Sequence, residues 1–265
     1  MRRLFMFYLC IAILLIIPYP TSAETDTGDP WKELNKTSDL ILQLVKQENF
    51  EQAKKELNYF SEQFLQMDFK GEGLTMNDLR TVTLSIEKAE EALTAAELEF
   101  TDRIMYVTSF RLAVDALSSE FHPLWLYTEE SVMGALQKMI ESLQVEERQQ
   151  FQLGLNEFLR QYQMIRPALL IDLTPEQLTR VESQVKYLET LRKEANNLNI
   201  LTNHLETIVQ EWEQLYQQVK EESSDPSFLW VMFTIGGMIF FTLIYVGWRK
   251  YTAEKEMTAK IRAKE

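Results

Sequence analysis

Few side chains in this 265-residue chain have the type and spacing that catalysis needs. The single cysteine, Cys10, sits inside a leading apolar run, and the two histidines, His122 and His204, stand far apart. That inventory supports neither a thiolate nucleophile nor a histidine-centred triad, and the sequence holds no zinc signature, Gly-rich phosphate loop or nucleophile elbow. Paired acids such as Glu90-Glu91, Glu129-Glu130 and Glu146-Glu147 are sequence neighbours. A helix splays such neighbours by about 100°, so they form no glycosidase-like pair by themselves. The reading is of a protein without an enzymatic site, a bound cofactor or a metal centre.

Three residues stand out as structural or interaction positions. Arg103 falls in the core register of an apolar stripe, where a guanidinium needs a carboxylate partner or an escape to solvent; a ligand carboxylate is the functional alternative. His122 and Trp125 belong to the His122-Pro123-Leu124-Trp125 run, which reads as a junction. Pro123 opens a new helix there, His122 caps the junction and Trp125 packs beneath it.

The elements that carry these residues are helical. With 46% apolar and 25% charged residues the chain is not disordered by default, and only 8 Gly and 7 Pro exclude a turn-rich β sandwich or barrel. Apolar residues recur every three or four positions from Leu79 through Val82, Ile86, Leu93 and Phe100, then from Arg103 to Leu117. This spacing predicts one long amphipathic helix or two nearly collinear ones, starting at Thr75 with Asp78 three residues on. Met133 to Leu143 and Phe151 to Ile165 form two shorter stripes, with Arg166-Pro167 to Leu173 read as a connector.

A further series runs from Leu178 to Val219. Thr174, Pro175 and Gln177 mark its start as N-cap, first helical residue and capping-box partner. It is either one helix, which would be about 72 Å long, or a hairpin broken around Asn196-Asn197-Leu198-Asn199, and the break is favoured. Near the beginning, Pro30 to Gln47 and Glu51 to Met67 read as a hairpin turning near Glu48-Asn49-Phe50. That hairpin resembles a tetratricopeptide unit at Leu40, Leu44, Asn49, Phe50, Ala53 and Leu57. Ile41 and Phe60 depart from the pattern, and no second copy follows. The fold expected is all-α: an elongated bundle of antiparallel helical hairpins, six to eight helices, plus one C-terminal transmembrane helix.

The two ends give a topology. Met1-Arg2-Arg3, the apolar run Leu4 to Ile17 and the small residues Thr21 and Ala23 make residues 1–23 a signal peptide, with cleavage after Ala23. Phe228 to Trp248 is an uncharged apolar run of 21 residues, about 31 Å as a helix and long enough for a bilayer. The domain reading is therefore signal peptide 1–23, exported helical domain 24–226, transmembrane helix 227–248 and tail 249–265. The tail carries six basic residues against three acidic ones, which places it in the cytoplasm and the 24–226 segment outside, in a single-pass cell-membrane protein.

Dividing the charge by this topology sharpens what the surface can bind. Residues 24–226 hold nineteen basic and thirty-seven acidic side chains, a net charge of −18. Such a body is unsuited to nucleic acid or to anionic polymer.

The chain as a whole resembles the YpjB family of sporulation membrane proteins of endospore-forming bacilli. The features that carry the resemblance are the Met1-Arg2-Arg3 leader, the Cys-free helical segment, the Thr174-Pro175 helix start and the Phe228 to Trp248 span with its short basic tail. The resemblance implies a sporulation-associated membrane protein and transfers no site residues. The function expected is a non-enzymatic scaffold whose helical domain binds an exported or membrane protein partner. A sensor relaying an outside event to a cytoplasmic partner is the alternative, and a cell-wall-directed enzyme the least favoured one.

Overall fold

The first hairpin is closed by a single left-handed residue. In the computed structural model, which describes residues 30–69, 73–119, 122–145, 147–194, 198–223 and 226–262, helices α1 (Pro30–Lys46) and α2 (Phe50–Gln66) are joined through Glu48 at φ 59°. The Asn49 N–H donates back to the Leu44 carbonyl at 2.9 Å, as in a helix C-cap. Ile41, Ala53, Leu57 and Phe60 are fully buried along the hairpin's inner face. The leader at residues 1–23 lies outside the described residues.

Helix α3 (Met76–Thr94) opens with the expected cap. The Asp78 N–H donates to Thr75 Oγ1 at 3.2 Å, and the Thr75 N–H donates to Asp78 Oδ2 at 2.8 Å. Its successor α4 (Phe100–Ser118) corrects the expectation of one long or collinear helix. Ala95 and Glu99 are both extended, at ψ 131° and 144°, so α3 and α4 fold against each other as a hairpin. The three–four alternation crosses the loop because each helix separately needs a buried face; Phe100, counted in the stripe, is exposed.

After a 3₁₀ turn (Leu124–Thr128) come α5 (Glu129–Gln144) and α6 (Arg148–Asp172). Here too a sequence expectation is corrected. The stretch read as a connector from Arg166 is helical through Pro167 to Asp172. Proline inside a helix costs about 3 kcal/mol. Burial offsets it: Ile165, Ala168 and Leu169 are fully buried and continue the stripe of Phe158 and Tyr162 beyond the proline.

Helices α7 (Pro175–Glu194) and α8 (Leu198–Glu222) form the favoured hairpin rather than one rod. The α7 start has its capping box, the Gln177 N–H reaching Thr174 Oγ1 at 3.3 Å and Thr174 N–H reaching Gln177 Oε1 at 3.0 Å. Tyr187 meets His204, and Gln184 meets Glu211, the pairing of an antiparallel pair. Helix α9 (Pro226–Arg262) follows, and its segment Met232–Tyr251 is the one stretch among the described residues long and apolar enough to cross a membrane, with none of it buried. It overlaps the Phe228 to Trp248 run.

Helix α4 lies at the centre. Val107, Phe110, Ala113 and Val114 face a core shared with α1, α2 and α3, while Leu112 and Ala116 face a second core built by α5, α6, α7 and α8. That second core is tightest where α5 and α6 cross at Gly154. A Cβ there would lie 2.9 Å from Met139 Cγ and 3.3 Å from the Ala135 carbonyl oxygen. Gly154→Val should therefore destabilise the fold by about 2–3 kcal/mol and lower the midpoint of thermal unfolding by roughly 5–10 °C in calorimetry of the full chain. An unchanged midpoint would mean that the two helices separate without cost.

Candidate functional site

Arg103 is buried, and its partners are neither a carboxylate nor solvent. Its guanidinium donates to the Ala92 and Ala95 carbonyls at the C-terminal end of α3 and lies 4.9 Å over the Phe50 ring. It caps a helix whose last carbonyls would otherwise lack donors and adds a cation–π contact. One N–H on each of its terminal nitrogens is held by α3 in this way, which turns the head group into the bundle. The carboxylate or solvent expected as its partner is replaced by the backbone carbonyls of α3, and the position is a structural one.

The His122–Trp125 run is a junction, with its parts differently arranged from the sequence reading. His122 takes φ 52° and points an exposed side chain outward. Pro123 is extended, at ψ 140°, so it precedes the 3₁₀ turn instead of opening a helix. The cap comes from Asp115 near the end of α4, whose Oδ2 accepts the Leu124 N–H at 2.6 Å and whose Oδ1 accepts the Ser119 hydroxyl at 3.1 Å. Trp125 is fully buried beneath, as expected, and donates its indole N–H to Asp172 Oδ2 at 2.6 Å.

Two further residues complete this acidic junction. Buried Arg111 lies one turn before Asp115, 3.5 Å from its Oδ1, and reaches across to Asp39 and to Asn35 Oδ1 at 3.1 Å on α1. Asp172, at the C-terminal end of α6, has its carboxyl pushed up to about 7, chiefly by burial; the Asp115 charge adds to the rise and the Trp125 hydrogen bond opposes it. The junction continues onto α8. Trp125 and Tyr216 have ring centroids 5.3 Å apart, Thr128 Oγ1 lies 3.1 Å from the Tyr216 hydroxyl, and Lys220 pairs with Glu129.

The sequence held a signal for each residue that the sequence reading passed over. Arg111 and Asp115 are an i,i+4 charge pair inside the apolar run Phe110 to Leu117, and Asp172 is a lone acid inside Ala168 to Leu173. A charge embedded in a buried run needs a partner.

A groove of about 390 Å³ opens on another side, where α3, α4, α6 and α7 meet. Met105, Tyr162 and Pro167 form its apolar floor, and Lys88, Arg166 and Glu189 stand on its rim. Arg166 pairs with Glu182 at 2.7 Å, whereas Lys88 makes no ion pair among the described residues. Burial raises the Tyr162 hydroxyl pKa, which keeps that phenol neutral. Such a groove can take an apolar side chain with an acidic neighbour. The structure does not bring Arg103, His122 and Trp125 together with it.

Comparison with known proteins points in one direction. A family model described as sporulation protein YpjB matches residues 31–260. A Bacillus subtilis (strain 168) protein, described as uncharacterized protein YpjB, is 30% identical over 254 residues, covering 95% of this chain and 96% of that one. No solved structure matches the chain.

The junction yields a pH prediction. A carboxyl raised on folding favours the folded state only while it is protonated, so Asp172 lowers stability progressively from its unfolded pKa near 4 up to about 7, and by a constant amount above that. Asp172→Asn keeps an acceptor for the Trp125 indole and removes the charge. It should raise the unfolding midpoint by about 5 °C at pH 8 and leave it unchanged near pH 4. A gain of equal size at both pH values would show that Asp172 does not titrate in this range.

Proposed function

Because the chain belongs to the sporulation protein YpjB family, we propose that it is a single-pass membrane protein of sporulation, held by α9, whose helical body lies outside the cytoplasm. There it docks another exported or membrane protein and catalyses no reaction. The observation that carries this reading is the groove at the meeting of α3, α4, α6 and α7. It combines an apolar floor with Lys88 on its rim, a cation without an ion pair among the described residues, the composition of a protein-docking surface. The body's net charge of −18 argues for a protein partner over nucleic acid. The basic residues from Arg249 to Lys264 and the leader at 1–23 support the orientation, with the bilayer contacted through Phe228 to Trp248.

A second reading, a relay to a cytoplasmic partner, is favoured by the packing of the Trp125–Asp172 junction on Tyr216, ten residues before α9. A change in the charge of Asp172 would act on the helix that leads into the span. The two readings differ in pH dependence, since docking alone needs no titrating group.

Both are tested with a photo-crosslinking residue at exposed Gln163 on the groove rim, in the full chain in sporulating cells, with exposed Asn58 on α2 as the control position. Docking gives one reproducible adduct from position 163 and none from 58, reduced about tenfold by Lys88→Glu. Relay adds a change in adduct yield between pH 6 and pH 8. Equal adducts from both positions, or none from either, would sink the docking reading. For the topology, a fluorescent reporter that matures only in the cytoplasm, fused after Glu265, should be bright; a dark, intact fusion would reverse the orientation.

A further inference from the structure

A second, open groove of about 460 Å³ lies across the α7–α8 hairpin, separate from the four-helix groove, and its lining has a different chemistry. Its centre is an aromatic platform: Tyr187 and His204 stack with ring centroids 5.3 Å apart and planes 29° from parallel. Around the platform stand Gln184, Asn203, Thr207 and Glu211, with buried Ile208 in the lining. Gln184 donates to Glu211, which fixes the carboxylate in place. The Thr207 hydroxyl hydrogen is committed to the Asn203 carbonyl at 3.0 Å, so its oxygen faces a ligand as an acceptor. The Asn203 side chain, exposed and without a hydrogen bond among the described residues, offers both a donor and an acceptor.

This set selects its ligand by elimination. Among the described residues no Lys or Arg lines the groove and Glu211 does, so an anion finds repulsion there. It lacks the deep apolar socket that anchors a peptide side chain. What it offers is a surplus of acceptors, one planar amide and an aromatic face, which match a ring that presents hydroxyl donors at its edge and C–H groups on its face. The volume lies within the roughly 300–1,000 Å³ of small-ligand clefts. We propose that the Tyr187–His204 platform binds a neutral glycan, one sugar ring stacking on the aromatic pair while Asn203, Thr207 and Glu211 take its hydroxyl or acetamido groups. The proposed placement of the body outside the cytoplasm would bring this face to extracytoplasmic glycan, but binding itself does not depend on that placement or on the docking groove.

The test uses the full chain in lipid nanodiscs, which avoids glycoside detergents, titrated calorimetrically with tetra-N-acetylchitotetraose, with cellotetraose and, as the anionic control, with tetragalacturonate. The expected result is saturable binding of at least one neutral tetrasaccharide with Kd on the order of 0.1–1 mM and no binding of tetragalacturonate. Asn203→Ala and Tyr187→Ala should each weaken binding fivefold or more with an unchanged unfolding midpoint. If Tyr187→Ala lowers the midpoint, Asn203→Ala, at an exposed position, decides alone. Absence of saturable binding of both neutral tetrasaccharides up to 10 mM, preference for tetragalacturonate, or full affinity in Asn203→Ala would each overturn the proposal.

Discussion

Helix α4 is buried on nearly every side and yet carries Arg103, Arg111 and Asp115 among its buried residues. A buried charge left without a partner costs about 3–5 kcal/mol, a large fraction of the stability of a domain this size. The bundle can therefore close only in arrangements that bring a partner to each of the three. Arg103 takes the end of α3, Arg111 takes Asn35 and Asp39 on α1, and Asp115 takes the first N–H of the 3₁₀ turn. Each charge fixes a different element against the same helix. Apolar area supplies the drive to collapse without specifying which face meets which; these directional bonds supply that specification.

The same constraint reaches the end of the body that leads into α9. Asp115 sets the start of the 3₁₀ turn, the turn sets Trp125, and Trp125 joins Asp172 on α6 to Tyr216 on α8. Tyr216 and Trp212 are both fully buried, so α8 is a core element up to about ten residues before α9 begins. The body is therefore mounted on its apolar helix through a packed helix, and a rearrangement near Asp172 would have to move or strain that mount.

Much of this was legible in the sequence. Local signals settled what they act on: the Thr75–Asp78 and Thr174–Gln177 boxes start helices where they should, and the apolar periods give the helical class and most of the buried faces. The places where the sequence reading went astray share one cause, the weighing of a local pattern against a long-range partner. The spacing from Leu79 to Leu117 says which face of each helix is apolar and is silent on whether the chain reverses between Ala95 and Glu99. The reversal is held by Arg103, whose acceptors lie eight and eleven residues back. Pro167 is a strong local breaker, overruled by the burial of Ala168 and Leu169. Asp172 is legible as a lone acid in an apolar run, but the indole that meets it and the charge that adds to its rise, Trp125 and Asp115, come from other elements.

The division of polar side chains also bears on function. In the interior, the charged groups on α4 and the junction acids are engaged by backbone or by one another, so their chemistry is consumed in holding the bundle together. His122 shows the converse: its ring stands outside the junction that its backbone shapes. Two groups with free capacity among the described residues, Lys88 beside the four-helix groove and Asn203 beside the aromatic platform, lie on surfaces with rings or apolar floors and open approaches. Recognition favours that arrangement, because a ligand can displace solvent from a shallow face without undoing the core. Asp172 is likewise turned inward, held on the indole of a fully buried tryptophan, where a change of charge alters packing before it reaches any ligand.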